Sequence, residues 1–158
     1  MPTKQEVIDA YRKVMERGEK LTAGLSEEDW QRPVYGSAWS VKQLFCHLAS
    51  VGAAPVFFIS MAQRPAGEGG GAGFDVDAWN AEQVTARQDR PVAEIMQEFR
   101  NSHEGGIRTV EATGDDVLAR QIPRFGGGKA SVLEVLMASG SEHEMGHMDD
   151  IDRALRGG

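Results

Sequence analysis

The chain has 158 residues, the size of one domain, and 41% of them are hydrophobic and 26% charged. We expect a single domain over residues 1–158 whose core is large enough to need no disulfide, and the lone cysteine, Cys46, excludes an internal one. The formal net charge of −7, with scattered basic residues, argues against nucleic acid and membrane partners and favours a small-molecule substrate or a second copy of the chain.

The N-terminal residues are polar and precede no signal-peptide core. We find no apolar run that approaches the length needed to cross a bilayer. Together with the single cysteine, these features predict a cytoplasmic protein.

Helix-capping motifs recur along the chain, whereas strand signals are almost absent. Thr3 and Glu6 form a capping box that opens a first helix, which should end near Gly24. A second capping pattern predicts a short helical turn over residues 26–30. The chain is therefore predicted to be largely helical up to Trp30, and residues 33–38 are predicted to form a loop.

A second long helix begins with Ser40 as N-cap and Gln43 as its capping partner. It should run to about Ala62 unless Pro55 kinks it. His47 lies on the apolar stripe of this helix. The Gly-rich segment 64–73 that follows predicts a surface loop linking two halves of the chain.

The second half contains two more long helices. After a short helix capped by Asp75 or Asp77, a third long helix starts near Pro91, although the pair at 105–106 weakens its middle. Residues 115–120 predict one more turn, and residues 123–129 a loop. The fourth long helix opens at Ser131, and its predicted stripe contains Val135, Leu136, His143, His147, Ile151 and Leu155.

Four amphipathic helices with one longer middle connection predict an all-α four-helix bundle with short extra helical turns in its connections. His143 and His147 stand four residues apart, so their imidazoles project from one face of a helix. A lone buried imidazole is usually a hydrogen-bonded core residue, but a pair on an apolar seam is readily satisfied by a divalent cation. With His47 from the facing helix, the predicted metal ligands are three histidines, which leave coordination positions open for water or substrate.

The residues from His143 to His147 also form the H-E-x-x-H string of zinc peptidases. Only eleven residues follow His147, however, and none is a histidine that would serve as the third ligand. We therefore keep a zinc peptidase only as a remote alternative.

Several other side chains are candidates with two interpretations each. Glu144 is either a general base near a metal-bound water or a solvated surface glutamate. Asp150 either orients an imidazole, or takes a fourth coordination place, or is a surface charge. His103 is either a pocket acid or base, or an additional ligand, or an ordinary inward-facing residue. Trp79 and Asn80 either line the mouth of a substrate pocket or are a core residue and a cap, and Cys46 is predicted to be an inert buried thiol.

The capped segment Trp39 to Leu44 leading into His47, the Asp-x-x-Asn segment Asp77 to Asn80, and the late pair His143 and His147 together resemble the DinB/YfiT-like superfamily. The resemblance spans nearly the whole chain. It implies a bundle of up-down-down-up connection, often homodimeric, whose three histidines, here His47, His143 and His147, bind a divalent metal, often nickel or zinc. Some relatives are transferases or isomerases that use bacillithiol, mycothiol or glutathione, and many have no known reaction.

From the residues and this resemblance we expect a divalent-metal-binding protein that is a metal-dependent hydrolase or a thiol-dependent S-transferase or isomerase, acting on a small molecule. A low-molecular-weight thiol would be its co-substrate in the second case. The alternative from another class is a non-catalytic homodimeric ligand-binding or stress protein that has kept the histidines as a pocket or as remnants.

Overall fold

The structure, a computed structural model, describes residues 1–65 and 74–157, so most of the predicted loop over residues 64–73 lies outside the described residues. The described helices are α1 (Lys4–Thr22), α2 (Glu27–Gln31), α3 (Val41–Val51), α4 (Ala54–Gln63), α5 (Val76–Arg87), α6 (Val92–Ala112), α7 (Asp115–Leu118), α8 (Val132–Val135) and α9 (His143–Leu155). A π-helical segment, Leu136–Glu142, joins α8 to α9, and two short strands, β1 (Gln121–Pro123) and β2 (Lys129–Ser131), precede α8.

The long helices form the predicted four-helix bundle. Both α6 and α9 pack against α1 and α3, so the four surround one core. Phe45 of α3, Phe99 of α6 and Met148 of α9 meet in one part of this core, and all three are fully buried. A second cluster forms where α1 and α4 meet the segment from α7 to the π-helix. The all-α prediction is confirmed.

The predicted capping boxes are present at four helix starts. Thr3, Ser26, Ser40 and Ser131 each accept a hydrogen bond from the backbone three residues on, and the side chain of that third residue accepts one in return. Each N-cap stabilises its helix by about 1 kcal/mol. Because these motifs are local, they predicted the helix starts correctly.

The second predicted helix is broken rather than continuous to Ala62. α3 ends at Val51 and α4 begins at Ala54, with Pro55 in its first turn and Gly52 at the junction. A Cβ atom at Gly52 would overlap Ser102 Oγ, so the missing side chain lets the junction rest on α6.

The glycine pair at 105–106 does not interrupt α6, contrary to the weakness predicted for its middle. A Cβ atom at Gly106 would lie 2.7 Å from the carbonyl oxygen of Gly52. Close packing of α6 against the α3–α4 junction compensates for the low helix propensity of glycine.

A small β-hairpin stands where the sequence predicted only a loop. β1 and β2 are antiparallel, with Ile122 opposite Ala130. Gly126, Gly127 and Gly128 form the turn with positive φ angles, which glycine adopts without steric cost. The sequence therefore did not predict these two strands, because a strand of three residues is too short to show an alternating pattern.

The segment Val41–Gln63 is long and apolar enough to cross a membrane by length and composition, with a mean hydropathy of 1.8 over its best window. The prediction that no apolar run has this length was therefore wrong. Of that window, 61% is buried inside the bundle, which accounts for its apolar composition.

Candidate metal centre

The π-helical segment determines which residues of the fourth helix face the core. The predicted stripe is correct at Val135, Leu136 and Ile151, but Glu144 and Met148 occupy the buried positions where histidines were expected. A π-helix holds more residues per turn than an α-helix, so it rotates the residues that follow it. The two histidines of α9 therefore lie beside the buried stripe, with His143 exposed and His147 partly buried.

The structure brings His47, His143 and His147 together. One ring nitrogen from each lies within 4.8 Å of the others, and the Nε2 atoms of His143 and His147 are 2.8 Å apart. Three nitrogens that each lie about 2.0–2.1 Å from one zinc-like ion are at most about 4.2 Å apart, so small rotamer adjustments would let the three meet a common ion. The geometry fits a three-histidine metal site.

The environment keeps these imidazoles in the form that ligation requires. Burial, aided by charge repulsion from His147 and His143, lowers the pKa of His47 to about 3. Burial and repulsion from His143 lower the pKa of His147 to about 4, although Asp150 acts in the opposite direction. Both rings are therefore neutral near pH 7, with lone pairs available to a cation.

His47 is positioned by packing rather than by a side-chain hydrogen bond. Its ring lies 5.2 Å from the ring of Trp39, and its Nδ1 atom is buried with no hydrogen-bond partner in the described part of the chain. An unpartnered buried ring nitrogen costs free energy, which coordination of a cation by this imidazole would offset. No sequence pattern had indicated this contact between Trp39 and His47.

A pocket of about 680 Å³ opens from this group of histidines, with His47 and His143 in its wall. The rest of its lining comes from α3, α4, α5, the β-hairpin turn and the π-helical segment. The volume is in the range of small-molecule sites in proteins. A substrate in this pocket would reach the histidines directly.

Trp79 and Asn80 both line this pocket, as one of their two interpretations expected. Trp79 is 36% exposed, which is incompatible with a simple core position. The cap of α5 is Asp75, whose side chain accepts a hydrogen bond from the backbone of Ala78, so Asn80 is not the cap. Phe74 and Phe125 also line the pocket, and no sequence motif had indicated either of them.

Glu144 and His103 are not part of the pocket. Glu144 is fully buried, so its interpretation as a solvated surface glutamate was wrong, and its Oε1 atom lies 2.6 Å from Nε2 of the equally buried His103. Since Glu144 points away from the three histidines and into the core, it is not placed to act as a base on a water there. The same geometry argues against the zinc-peptidase interpretation of the H-E-x-x-H string.

Two remaining candidates have ordinary explanations. Asp150 lies 3.4 Å from Arg153 on the helix surface, which agrees with its interpretation as a surface charge. Cys46 is fully buried, and burial raises its pKa to about 11. A thiol with this pKa is almost entirely protonated at neutral pH, which agrees with the predicted inert role.

The fold and the site define a class: four-helix-bundle proteins in which helices from opposite halves of the chain bring together three histidines suited to a divalent metal. Residues 11–152 match the family model of the mycothiol maleylpyruvate isomerase N-terminal domain, and the chain belongs to this family. The DinB-like resemblance predicted from the sequence is confirmed. No curated protein matches the chain.

Two solved structures share the fold at low sequence identity. The crystal structure of the mycothiol-dependent maleylpyruvate isomerase has a TM-score of 0.77 and 14% identity over 95% of this chain, and this chain spans only 61% of that one. YfiT from Bacillus subtilis, described as a probable metal-dependent hydrolase with an unusual four-helix bundle topology, has a TM-score of 0.68 and 16% identity over 95% of this chain and 86% of its own.

Proposed function

We propose that the protein is a metal-dependent enzyme that uses a low-molecular-weight thiol to transfer or isomerise a small molecule, with His47, His143 and His147 as the metal ligands. The observation that carries this proposal is the convergence of three histidines, two of which line a pocket large enough for a small molecule. Nickel and zinc are among the metals that this nitrogen donor set suits.

The three histidines would hold the ion by their neutral ring nitrogens. Such an ion supplies Lewis acidity, which lowers the pKa of a bound thiol or water and polarises a carbonyl oxygen. The ring of Trp39 packs against the ring of His47. Glu144, which follows His143 in sequence, is fully buried and anchors α9 in the core. The chain's own contribution is therefore to orient the ligands and to provide the pocket.

Two features favour an external thiol as the nucleophile. The one cysteine of the chain, Cys46, is buried and has a raised pKa, so the protein supplies no reactive thiol of its own. The family model and one of the solved structures are both named for a mycothiol-dependent isomerase. A thiol whose pKa is lowered by a metal needs no separate protein base, which agrees with the burial of Glu144.

A metal-dependent hydrolase is the second candidate, and the fold similarity to YfiT favours it. A hydrolase commonly positions a base near the attacking water. Among the described residues that line the pocket, Asp77 is the one carboxylate, and it would have to serve that role. Loss of ester or amide hydrolysis in an Asp77→Asn variant that still binds metal would support this candidate over the first.

The test begins with metal analysis of protein purified without an affinity tag, followed by zinc and nickel titration. Single variants His47→Ala, His143→Ala and His147→Ala should each lose metal, while Tyr35→Ser, which changes an exposed residue outside the pocket, should retain it. A His47→Ala, His143→Ala double variant with full metal content would refute the ligand assignment.

Activity is then measured on the metal-loaded protein. Maleylpyruvate and other small electrophiles are offered with mycothiol, bacillithiol or glutathione, and ester and amide substrates are offered without thiol. Thiol-dependent turnover that His147→Ala abolishes supports the leading proposal. Thermal stabilisation by a ligand without any turnover would instead support the non-catalytic binding protein, and light scattering would test the predicted homodimer.

A further inference from the structure

We propose that the pocket selects molecules with one polar, metal-binding head and an uncharged apolar tail, and that it disfavours a second negative charge on the tail. This inference deepens the proposed function, on which the role of the head rests. It is carried by two observations on the pocket walls: a continuous surface of aromatic rings, and a cation whose hydrogen-bond donors are already engaged within the protein.

The aromatic wall consists of rings in contact with one another. Phe57 contacts Phe58, Phe58 contacts Phe125, Phe125 stacks on Phe74 at 6.4 Å, and Phe74 contacts Trp79. All five line the pocket, although they come from α4, α5, the hairpin turn and the residue before α5's cap. Segments distant in sequence thus build one apolar surface.

Four of these five rings are exposed in a way that core residues are not, whereas Phe58 is buried beneath them at 4% exposure. Phe125 is 52% exposed, Phe57 46%, Phe74 45% and Trp79 36%. Exposed aromatic residues that gather in one pocket indicate a binding surface, whereas isolated ones need no explanation. A small apolar ligand is the occupant whose size agrees with the pocket volume of about 680 Å³.

The aromatic wall and the histidines occupy different parts of the pocket. Within the described residues, His47 and His143 have ring contacts only with each other, with His147 and, for His47, with Trp39. A ligand whose head reaches these histidines therefore extends its tail over the wall.

The one guanidinium group in the described pocket wall already donates its hydrogen bonds to partners within the protein. Arg87 is the one basic side chain among the described lining residues, and its Nε atom donates to Glu98 Oε1 at 3.0 Å. Its Nη1 atom donates to the backbone and side-chain oxygens of Gln83, and Arg87 is only 17% exposed. Asp77 adds a negative charge to the same wall.

The sequence outside the described residues does not alter this balance, because residues 66–73 contain one glutamate and no lysine or arginine. A carboxylate on the ligand tail would lose water against aromatic rings and find no free cation among the described lining residues. Burial of an unpaired charge is strongly unfavourable. An uncharged tail avoids this cost and gains from apolar contact.

The test compares two ligands with the same metal-binding head, benzohydroxamate and 4-carboxybenzohydroxamate, by calorimetry on zinc-loaded protein. We expect the uncharged tail to bind at least about tenfold more tightly, equivalent to about 1.4 kcal/mol. Equal or tighter binding of the carboxylated ligand would overturn the inference.

Variants separate the two observations. Glu98→Gln removes the carboxylate that pairs with both Arg87 and Arg90, so it should strengthen binding of the carboxylated ligand several-fold and leave binding of the uncharged one unchanged. Thermal melting checks that this variant is folded. Phe125→Ser should weaken the uncharged ligand by about threefold to tenfold through lost apolar area, and Tyr35→Ser should have no effect. If Phe125→Ser changes the oligomeric state but not ligand affinity, the wall is an interface between copies and the inference fails.

A metal-free arm keeps this inference distinct from the proposed function. Methyl benzoate and monomethyl terephthalate differ by one carboxylate and need no metal, and quenching of Trp79 fluorescence reports their binding, with Trp79→Phe as the signal control. Absence of metal binding together with a preference for methyl benzoate would refute the proposed function and support the pocket preference. Metal binding without any preference for the uncharged tail would support the proposed function and refute the pocket preference.

Discussion

His103 Nε2 lies 2.6 Å from Glu144 Oε1, and both side chains are fully buried between α6 and α9. The other ring nitrogen of His103, Nδ1, lies 2.7 Å from the carbonyl oxygen of Phe99, which can only accept, so Nδ1 carries a proton. Burial lowers the pKa of His103, but the charge and hydrogen bond of Glu144 and the bond to Phe99 outweigh it, and the net pKa is raised. The pair therefore connects two helices of the bundle at the level of the candidate metal site.

Removal of one member of this pair should be much more damaging than removal of both. Glu144→Ala leaves a buried imidazole without its partner and should lower the free energy of unfolding by about 3–5 kcal/mol. His103→Leu combined with Glu144→Leu should recover a large part of that loss, since apolar residues often replace a buried polar pair without great cost. Urea unfolding of the metal-free proteins measures these values. The single variants His103→Leu and Glu144→Leu complete the cycle, and effects of these two changes that add up to that of the double variant would show that the pair is not coupled.

Gly52 should be intolerant of a side chain, because a Cβ atom there would lie 2.6 Å from His103 Nδ1 and would overlap Ser102 Oγ. We expect Gly52→Ala to lower the free energy of unfolding by about 1–3 kcal/mol through overpacking.

The matched control is Gly146→Ala inside α9, where an added Cβ atom would meet nothing within 4 Å. This change should stabilise the protein by about 0.4–1 kcal/mol, since alanine restricts the unfolded chain and favours helix. Equal effects of the two substitutions in thermal or urea unfolding would contradict the packing described at the junction of α3 and α4.

The sequence was informative where the determinants are local. Ser40 and Gln43 are three residues apart, so the capping box could be recognised without knowledge of the fold. Likewise, His143 and His147 are one helical turn apart, and a bundle makes a third ligand from a facing helix the natural partner. Helix geometry and the number of helices are therefore sufficient to predict these relationships.

The sequence was uninformative where a partner is distant. Glu144 is buried because His103, 41 residues away, meets it in the core, and no pattern around Glu144 indicates this contact. The π-helical segment also has no sequence signature, yet it decides that Glu144 rather than His143 faces inward. Burial of a polar residue depends on a specific tertiary partner, which periodicity alone cannot supply.

Stability of the metal-free protein should fall in mild acid because of the histidines of the candidate site. Folding lowers the pKa of His47 from 6.5 to about 3 and that of His147 from 6.5 to about 4, so the unfolded chain binds more protons between about pH 6.5 and pH 4. The free energy of unfolding therefore decreases as pH falls through this window, for His47 by up to about 1.4 kcal/mol per pH unit. Urea unfolding at intervals of half a pH unit measures the slope.

His103 does not produce this slope. Its pKa is raised by folding, so its contribution is fully present below pH 6.5 and is lost only as pH rises through its folded pKa. The control is a His47→Leu, His147→Leu double variant, in which the acid-side slope between pH 6.5 and 5 should be much smaller. An unchanged slope in that variant would mean that other groups cause the acid sensitivity.

Cys46 should react with thiol reagents only when the protein unfolds. Its side chain is fully buried in α3 next to His47 in sequence, and burial raises its pKa to about 11, so both access and thiolate formation are suppressed. At pH 8 we expect reaction with Ellman's reagent to be negligible in the native protein and complete in urea. Fast labelling of the native protein would contradict the burial of Cys46 and would make it a competitor of the external thiol, whereas protection leaves that thiol as the nucleophile in the proposed reaction.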